Sequence, residues 1–474
     1  VGIAIKFGTD GWRGIIAEDF TFDNVRLCAQ AVAEHLQDTG LAPRGLVIGY
    51  DTRFASENFA QACAEVIAAN GTKVYLCPKV TPTPVISYGV RDKRAAGAII
   101  ITASHNPAIW NGFKIKTEIG TSASPEVEGD VERRLPDILG QNKIKQLPLS
   151  KGLEQGLIEY VDPAPAYLHH IAELVELEHL RQTSLKVIVD PMYGAGAGYL
   201  KTIISGGRLE VIEINGERNP IFPQIQPEPI APNLAKLSTL VKQTGADVGL
   251  ATDGDADRLG VVDENGSPLT PLQIFALLAI YLLEVRGERG AIVKTVTTTS
   301  MLYKLGEIYH VPVYETAVGF KYVAPKMIAE DALIGGEESS GYGFRGHIPE
   351  RDGILASLYF LDLIVKLNKT PQQLIDYLYD QVGPHYYHRI DLEFPAASRE
   401  AIIHRVESQT PARLIDTTVT SADTIDGFRY HLADGSWLLI RFSGTQPILR
   451  IYSESSSLSR VNQLLEQGRH LAGL

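Results

Sequence analysis

The chain has 474 residues, of which 45% are hydrophobic and 21% charged, with a formal net charge of −12. One hydrophobic core rarely extends past ~250–300 residues, so several domains are expected, and no run approaches the ~20 apolar residues of a membrane helix. Net acidity argues against a nucleic-acid partner, because that affinity rests on Lys and Arg neutralising phosphates, yet it allows a small phosphate ligand held by a local cluster of cations.

From the N-terminus, the stretch VGIAIKFGTDGWRG lacks the basic-then-apolar pattern of a signal peptide. Helix-period segments at Phe22–Leu36 and Phe59–Ala69 flank a buried apolar run, Leu46–Tyr50, that ends at Asp51. The cysteines, Cys28, Cys63 and Cys77, form no Cys-x-x-Cys pair, which argues against disulfides and structural zinc and fits a cytoplasmic location. Thr81-Pro-Thr-Pro84 reads as a stiff loop that proline content explains without any function.

The run Ala98–Ile101 opens into Thr102-Ala-Ser-His-Asn-Pro-Ala-Ile-Trp-Asn-Gly-Phe-Lys114. A serine at a strand end sits on a rigid base facing solvent. Its hydroxyl can act as nucleophile or phosphate carrier where a base and a cation stand near; His105 and Lys114 supply such groups to Ser104. The bland reading is a polar turn whose histidine merely hydrogen-bonds. Glu118–Gly156 is polar and reads as the exit from a first domain; Val161–Pro165, with two prolines, precedes the helix-period stretch Tyr167–Leu180. After the run Val187–Val189, Gly194-Ala-Gly-Ala-Gly198 lacks the third glycine of a dinucleotide fingerprint, Tyr199 standing in its place.

Ala246–Leu250 leads into Thr252-Asp-Gly-Asp-Ala-Asp-Arg258. Carboxylates at every second position repel one another unless neutralised, and at a strand end they make an oxygen cage for a hard cation. Asp253, Asp255, Asp257 and Glu264 also fit an EF-hand spacing, but Arg258 occupies the position where that loop needs glycine, and the flanks read as strands. A solvated acidic turn is the remaining alternative. Asp263–Gly266 is a turn signal.

Further on, Leu272–Val285 reads as helix, Ala291–Val293 and Ala332–Ile334 as strands, and Pro371–Tyr379 as helix. Gly335-Gly-Glu-Glu-Ser-Ser-Gly-Tyr-Gly343 pairs a carboxylate with a hydroxyl, a combination suited to gripping sugar hydroxyls; alone it is also an ordinary Gly-rich surface loop. From about His385 the pattern changes to strands such as Tyr387–Leu392 and Trp437–Ile440 and then a final helix. Arg441-Phe-Ser-Gly-Thr-Gln-Pro-Ile-Leu-Arg450 has the composition of a phosphate cradle, with a guanidinium fork, hydroxyls and an exposed backbone N–H, though a plain hairpin turn has the same look. The expected architecture is α/β in four units: residues 1–158, 159–264, 265–379 and a smaller α+β unit, 380–474.

The four loops in this order, with the opening Phe7-Gly-Thr-Asp-Gly-Trp-Arg-Gly14, resemble the α-D-phosphohexomutase family of phosphoglucomutases and phosphomannomutases. The resemblance implies four domains around a central cleft, three of them related α/β units with mixed sheets. It implies that Ser104 is a phosphoserine and that its phosphate, with Asp253, Asp255 and Asp257, binds Mg2+. Arg13, His105, Lys114 and Arg258 would be catalytic positions. Glu337, Ser339, Lys294 and Lys321 would meet the substrate, and Arg441, Ser443, Gly444 and Thr445 would hold its phosphate. Small sugar phosphates are the implied partners, glucose 1,6-bisphosphate the implied intermediate and activator, and a monomer or homodimer the implied state. Gln446 stands where many relatives have Glu. Glu337-Glu-Ser339 and Gly346-His-Ile-Pro-Glu-Arg-Asp-Gly353 resemble the bacterial phosphoglucomutase branch, with phosphomannomutase or dual specificity next and phosphoglucosamine mutase less so. A phosphatase using the same serine, or a degenerate metal-dependent binding protein, are the rivals.

Overall fold

The computed structural model describes residues 5–409, 411–443 and 448–474. Four sheets follow one another along the chain. The first has the order Trp12–Ile15, Trp110–Lys116, Ala98–Ile101, Leu46–Tyr50, Val74–Leu76, Ile158–Tyr160. The second runs Leu259–Val262, Val248–Thr252, Lys186–Asp190, Glu210–Glu213, and the third Val313–Thr316, Ile292–Thr295, Ile334–Gly336, Tyr342–Phe344. Each of these three has a parallel body with an antiparallel flank, the mixed-sheet α/β plan expected from apolar runs alternating with amphipathic helices. The fourth sheet, Tyr386–Glu393, Ile448–Ser455, Trp437–Phe442, Phe428–Leu432, Thr417–Asp423, Arg413–Leu414, is antiparallel throughout.

The same device recurs in all four sheets. A strand ends, a loop turns, and the chain returns as the antiparallel neighbour: Ala98–Ile101 to Trp110–Lys116, Val248–Thr252 to Leu259–Val262, Ile334–Gly336 to Tyr342–Phe344, Trp437–Phe442 to Ile448–Ser455. Each motif loop is therefore a hairpin tip, held at both ends by ladder hydrogen bonds.

Some segments differ from their sequence reading. Glu118–Gly156 is not only an exit. It carries the helix Pro125–Gly140, which buries Val131, Leu135 and Ile138 in the first core; its other faces are polar, which hid the stripe. Tyr167–Leu180 is two helices, Ala164–Leu174 and Leu177–Arg181, separated where Val175 turns extended. Three strands start two residues or one residue later than their apolar runs, as at Val248–Thr252, because Ala246 lies in the turn before the sheet.

The first and fourth units have their own cores, whereas the second and third share a large one and each keeps a smaller cluster of its own. The shared core is filled by the helix Pro271–Ile280 and by Gly353–Leu367, in which every residue from Gly353 to Ile364 is buried. The first and third units are joined by a fully buried ion pair, Lys116 Nζ to Glu350 Oε2 at 2.6 Å, with Ser122 Oγ donating to the same oxygen at 2.9 Å. Removing one partner leaves a desolvated charge, so Glu350→Ala is expected to cost about 3–5 kcal/mol of stability, read as a shift in the urea unfolding curve.

Candidate active site

Ser104 sits at the first hairpin tip in the left-handed region, φ 49°, and is fully buried. Two residues that the sequence reading passed over hold it there. Arg53, itself buried, donates to the carbonyls of Ser104 (2.6 Å), Asn106 (2.6 Å), Pro107 (2.9 Å) and Trp110 (3.0 Å). Asp51 pairs with Arg53 Nε at 3.1 Å and accepts from Thr102 Oγ1 at 2.6 Å, and Thr102 Oγ1 accepts from the Ser104 N–H at 2.8 Å. One guanidinium thus holds four carbonyls along the tip, from Ser104 to Trp110, where the ladder resumes.

The second tip lies directly against the first. Ser104 Oγ donates to Asp253 Oδ2 at 2.7 Å and stands 3.4 Å from His105 Nδ1. A side chain at Gly254 would meet the Ser104 carbonyl at 2.4 Å, so only glycine lets the two tips touch. Gly194, from the motif set aside as a dinucleotide site, supports the tip from behind: a Cβ there would meet the carbonyls of Asp253 and Gly254, each at 2.8 Å. Thr83 of the proline-rich loop also has a task. It opens the helix Thr83–Lys93, donates its N–H to the Asp255 carbonyl (2.9 Å) and its hydroxyl to Asp255 Oδ2 (2.6 Å).

Asp253, Asp255 and Asp257 are all buried, with one oxygen from each within 4.8 Å of the others. Oδ1 of Asp255 and Oδ1 of Asp257 accept no hydrogen bond. Burial and the neighbouring carboxylates push Asp253 well above its ordinary range; burial also raises Asp257, against the pull of Arg351. Burial opposes ionising Asp255 too, but the Lys114 ammonium and the Thr83 hydroxyl outweigh it and hold that carboxyl down. Three clustered acids with buried, unpartnered oxygens fit a hard divalent cation, which would repay their desolvation.

The counter-charges come from all three of the first units. Lys114 Nζ lies 2.6 Å from Asp10 Oδ2, 2.8 Å from Asp255 Oδ2 and 3.6 Å from Asp257 Oδ2. Arg351, which entered the sequence reading only as part of the Gly346–Gly353 run, reaches Asp10 and Asp257 at 2.9 Å and Glu337 at 3.3 Å. Its approach to Asp257 lacks hydrogen-bond alignment and is an ion pair. Arg258 stands 3.8 Å from both Asp253 and Asp257. Burial lowers the His105 ring well below its usual range, and Arg258, Arg13 and Lys114 reinforce that, so the imidazole is neutral near pH 7. Arg13 is held by Asn106 Oδ1 at 2.7 Å.

The third tip joins through backbone: Arg258 bridges Gly341, and the Leu259 N–H donates to the Ser340 carbonyl at 3.0 Å. This brings Glu337 to Arg351, with Ser339 two residues on and partly buried. Glu338 turns to the fourth unit, accepting from Tyr387 OH at 2.8 Å. Lys321 bonds the Gly8 carbonyl (2.8 Å) and Glu128 (2.9 Å) beside the opening segment. Lys294 is buried against Glu315 at 2.9 Å, which in turn pairs with Arg429 of the fourth unit, and it also donates to the Thr298 carbonyl at 3.2 Å; among the described residues it makes no bond to the triad. At the fourth tip Arg441 pairs with Asp426 at 3.0 Å, and the Ser443 carbonyl accepts from Arg399 at 3.0 Å; Gly444 and Thr445 lie outside the described residues. Asp10, Asp51, Arg53, Thr83 and Arg351 were missed because each acts across a fold contact rather than inside a loop of recognisable composition.

Four domains carrying a strand-end serine, an acid triad, a carboxylate–hydroxyl loop and an arginine hairpin in that order around one cleft define a phosphohexomutase, an enzyme of the intramolecular phosphotransferase class. The chain belongs to the phosphoglucomutase/phosphomannomutase family: its alpha/beta/alpha domain I matches residues 4–140, domain II residues 165–266, domain III residues 270–382 and the C-terminal domain residues 397–470. It is 32% identical to a phosphoglucomutase/phosphomannomutase of Thermococcus kodakarensis, over 98% of this chain and 97% of that one. It is 28% identical to a phosphoglucosamine/phosphogalactosamine mutase of Sulfurisphaera tokodaii, over 97% of each. Among solved structures it is similar to a Thermus thermophilus protein carrying a phosphomannomutase name, at 34% identity and TM-score 0.85 over 99% of both chains.

A cation bound only by the folded triad stabilises the fold by mass action. At a Mg2+ concentration about 100 times its dissociation constant the gain is about 2.7 kcal/mol. Thermal melting with Mg2+ and with chelator is expected to show this difference in the natural protein and to lose most of it in Asp257→Asn.

Proposed function

We propose that the protein is a phosphoglucomutase, interconverting glucose 1-phosphate and glucose 6-phosphate through phospho-Ser104 and a hexose 1,6-bisphosphate. The observation that supports it most is the contact of Ser104 Oγ with Asp253, next to three triad oxygens that accept no hydrogen bond among the described residues. A serine so placed can carry a phosphoryl group whose charge a bound cation and Lys114, Arg258 and Arg13 balance.

In this reading the P–O bond to Ser104 Oγ breaks as a bond forms to the free hydroxyl of a hexose monophosphate. The hydroxyl proton passes to a basic group beside the serine; of His105, Lys114 and Arg13, the neutral imidazole of His105 is the one able to accept it, since Lys114 and Arg13 already carry their protons. Arg441 and Ser443, with Gly444 and Thr445, hold the phosphate that is not reacting, while Glu337 and Ser339 grip sugar hydroxyls. Lys321 and Lys294 complete the substrate-facing set. The bisphosphate turns end for end and returns its other phosphate to Ser104, so one cradle serves both monophosphates. Mg2+, held by Asp253, Asp255, Asp257 and the serine phosphate, would supply positive charge at the transferring group when bound. Lys114 stays cationic in this scheme: burial opposes its charge, but Asp10, Asp255 and Asp257 raise its affinity for the proton.

Glucose is the proposed sugar because Glu337-Glu-Ser339 and the Gly346–Gly353 run resemble the glucomutase branch. Phosphomannomutase or dual specificity is the second reading, favoured by the shared names of the relatives. Glucose 1,6-bisphosphate is the proposed activator and the cytoplasm the proposed location.

Ser104→Ala is expected to abolish mutase turnover with the fold intact, and intact-mass measurement of the natural protein to find about 80 Da added at Ser104 in a phosphorylated fraction. Full activity in the alanine variant would end the proposal. Comparing kcat/KM for glucose, mannose and glucosamine phosphates tests the substrate: glucose is expected to lead, and release of inorganic phosphate in place of isomer would point to a phosphatase.

A further inference from the structure

The hairpin that joins Thr417–Asp423 to Phe428–Leu432 is pressed onto the strand carrying Arg441. Gly427 sits at its tip with φ 106°, and a side chain there would meet the Ile440 carbonyl at 2.5 Å and the Arg441 Cα at 3.1 Å. The preceding residue, Asp426, spends its two oxygens in different units. Oδ1 lies 3.0 Å from Arg441 Nε, an ion pair without hydrogen-bond alignment, and Oδ2 accepts from the Val318 N–H of the third unit at 2.9 Å.

Val318 opens a short loop held from the other side by the first unit. Lys321 Nζ donates to the Gly8 carbonyl at 2.8 Å, and a Cβ on Gly319 would meet Thr9 Cγ2 at 2.9 Å. Gly8 and Thr9 run directly into Asp10, which pairs with Lys114 and Arg351 beside the acid triad. One carboxylate therefore connects Arg441 to a loop clamped against the segment that leads into Asp10. A carboxylate charge beside Nε draws the guanidinium to one side and restricts its swing, and a fork restricted in this way loses less freedom on binding.

We propose that Asp426 is a positioning residue for Arg441, setting the guanidinium only while the fourth unit is docked on Val318, so that the grip on the non-reacting phosphate depends on domain docking. The inference rests on the reading of Arg441 as the phosphate anchor. Asp426 touches no reacting atom, so its loss acts on binding more than on chemistry.

Asp426→Asn keeps volume but removes the charge and leaves a single acceptor for two donors. It is expected to raise KM for glucose 1-phosphate, and the calorimetric dissociation constant for glucose 6-phosphate, about tenfold, with kcat within about twofold and the melting temperature unchanged. In the Arg441→Ala background the same change is expected to add almost nothing, since its effect runs through Arg441. If Arg441→Ala weakens binding while Asp426→Asn does not, or if the two effects add fully, the positioning role is overturned and the anchor stands. If Arg441→Ala leaves binding unchanged, the anchor reading falls and the positioning role falls with it.

Discussion

The structure depends on neutralising buried acid. Asp253, Asp255 and Asp257 are fully buried with the partly buried Asp10 beside them, and such a group of carboxylates is tolerated only when each charge is matched or its proton kept. Lys114 from the first unit and Arg351 from the third supply the matching charges, each reaching more than one acid. The acids come from the first and second units, so neutralisation is possible only when three units are in register. Electrostatic need at the site and docking of the domains are in this sense one requirement.

That requirement accounts for where the contacts are closest. Gly254 against Ser104, Gly194 against Asp253 and Gly353 against the Arg258 carbonyl, at 2.3 Å for an added Cβ, are places where backbones meet because side chains would hold the charges apart. Arg53 extends the principle into the first tip, where a guanidinium replaces the ladder bonds that a strained loop cannot make. The tip where phosphate would be stored is tightly bonded, while the arginine hairpin meets the third unit through Asp426 and Val318, through Glu454 and Ser300, and through packing of Trp437, Leu439 and Tyr452 on Val296.

Much of this was legible in the sequence. The strands Leu46–Tyr50 and Ala98–Ile101 were bounded as found, since a short apolar run ending in polar residues has few other solutions inside a packed sheet. The three aspartates stood out by their spacing, and Ser104 by a loop dense in polar residues after an apolar run. Thr83 and Gly194 did not: the first looked like a stiff turn and the second like an incomplete nucleotide motif. Their tasks exist only once the fold brings Asp255, 172 residues from Thr83, and Asp253 beside them. Arg351 illustrates the same limit, since its partners lie in all three of the first units. Local composition reports loop chemistry; it is silent on which distant charge a lone arginine will meet.

The core shared by the second and third units has a consequence for how this architecture can change. The helix Gly353–Leu367 is buried on every side from Gly353 to Ile364, so neither unit offers it a solvent face, and the two halves cannot part without exposing it. Recombination that exchanges whole modules is therefore confined to the two ends of the chain. The middle pair, which carries the acid triad and the carboxylate–hydroxyl loop, has to be inherited as a single block, so that cation and sugar grip evolve together.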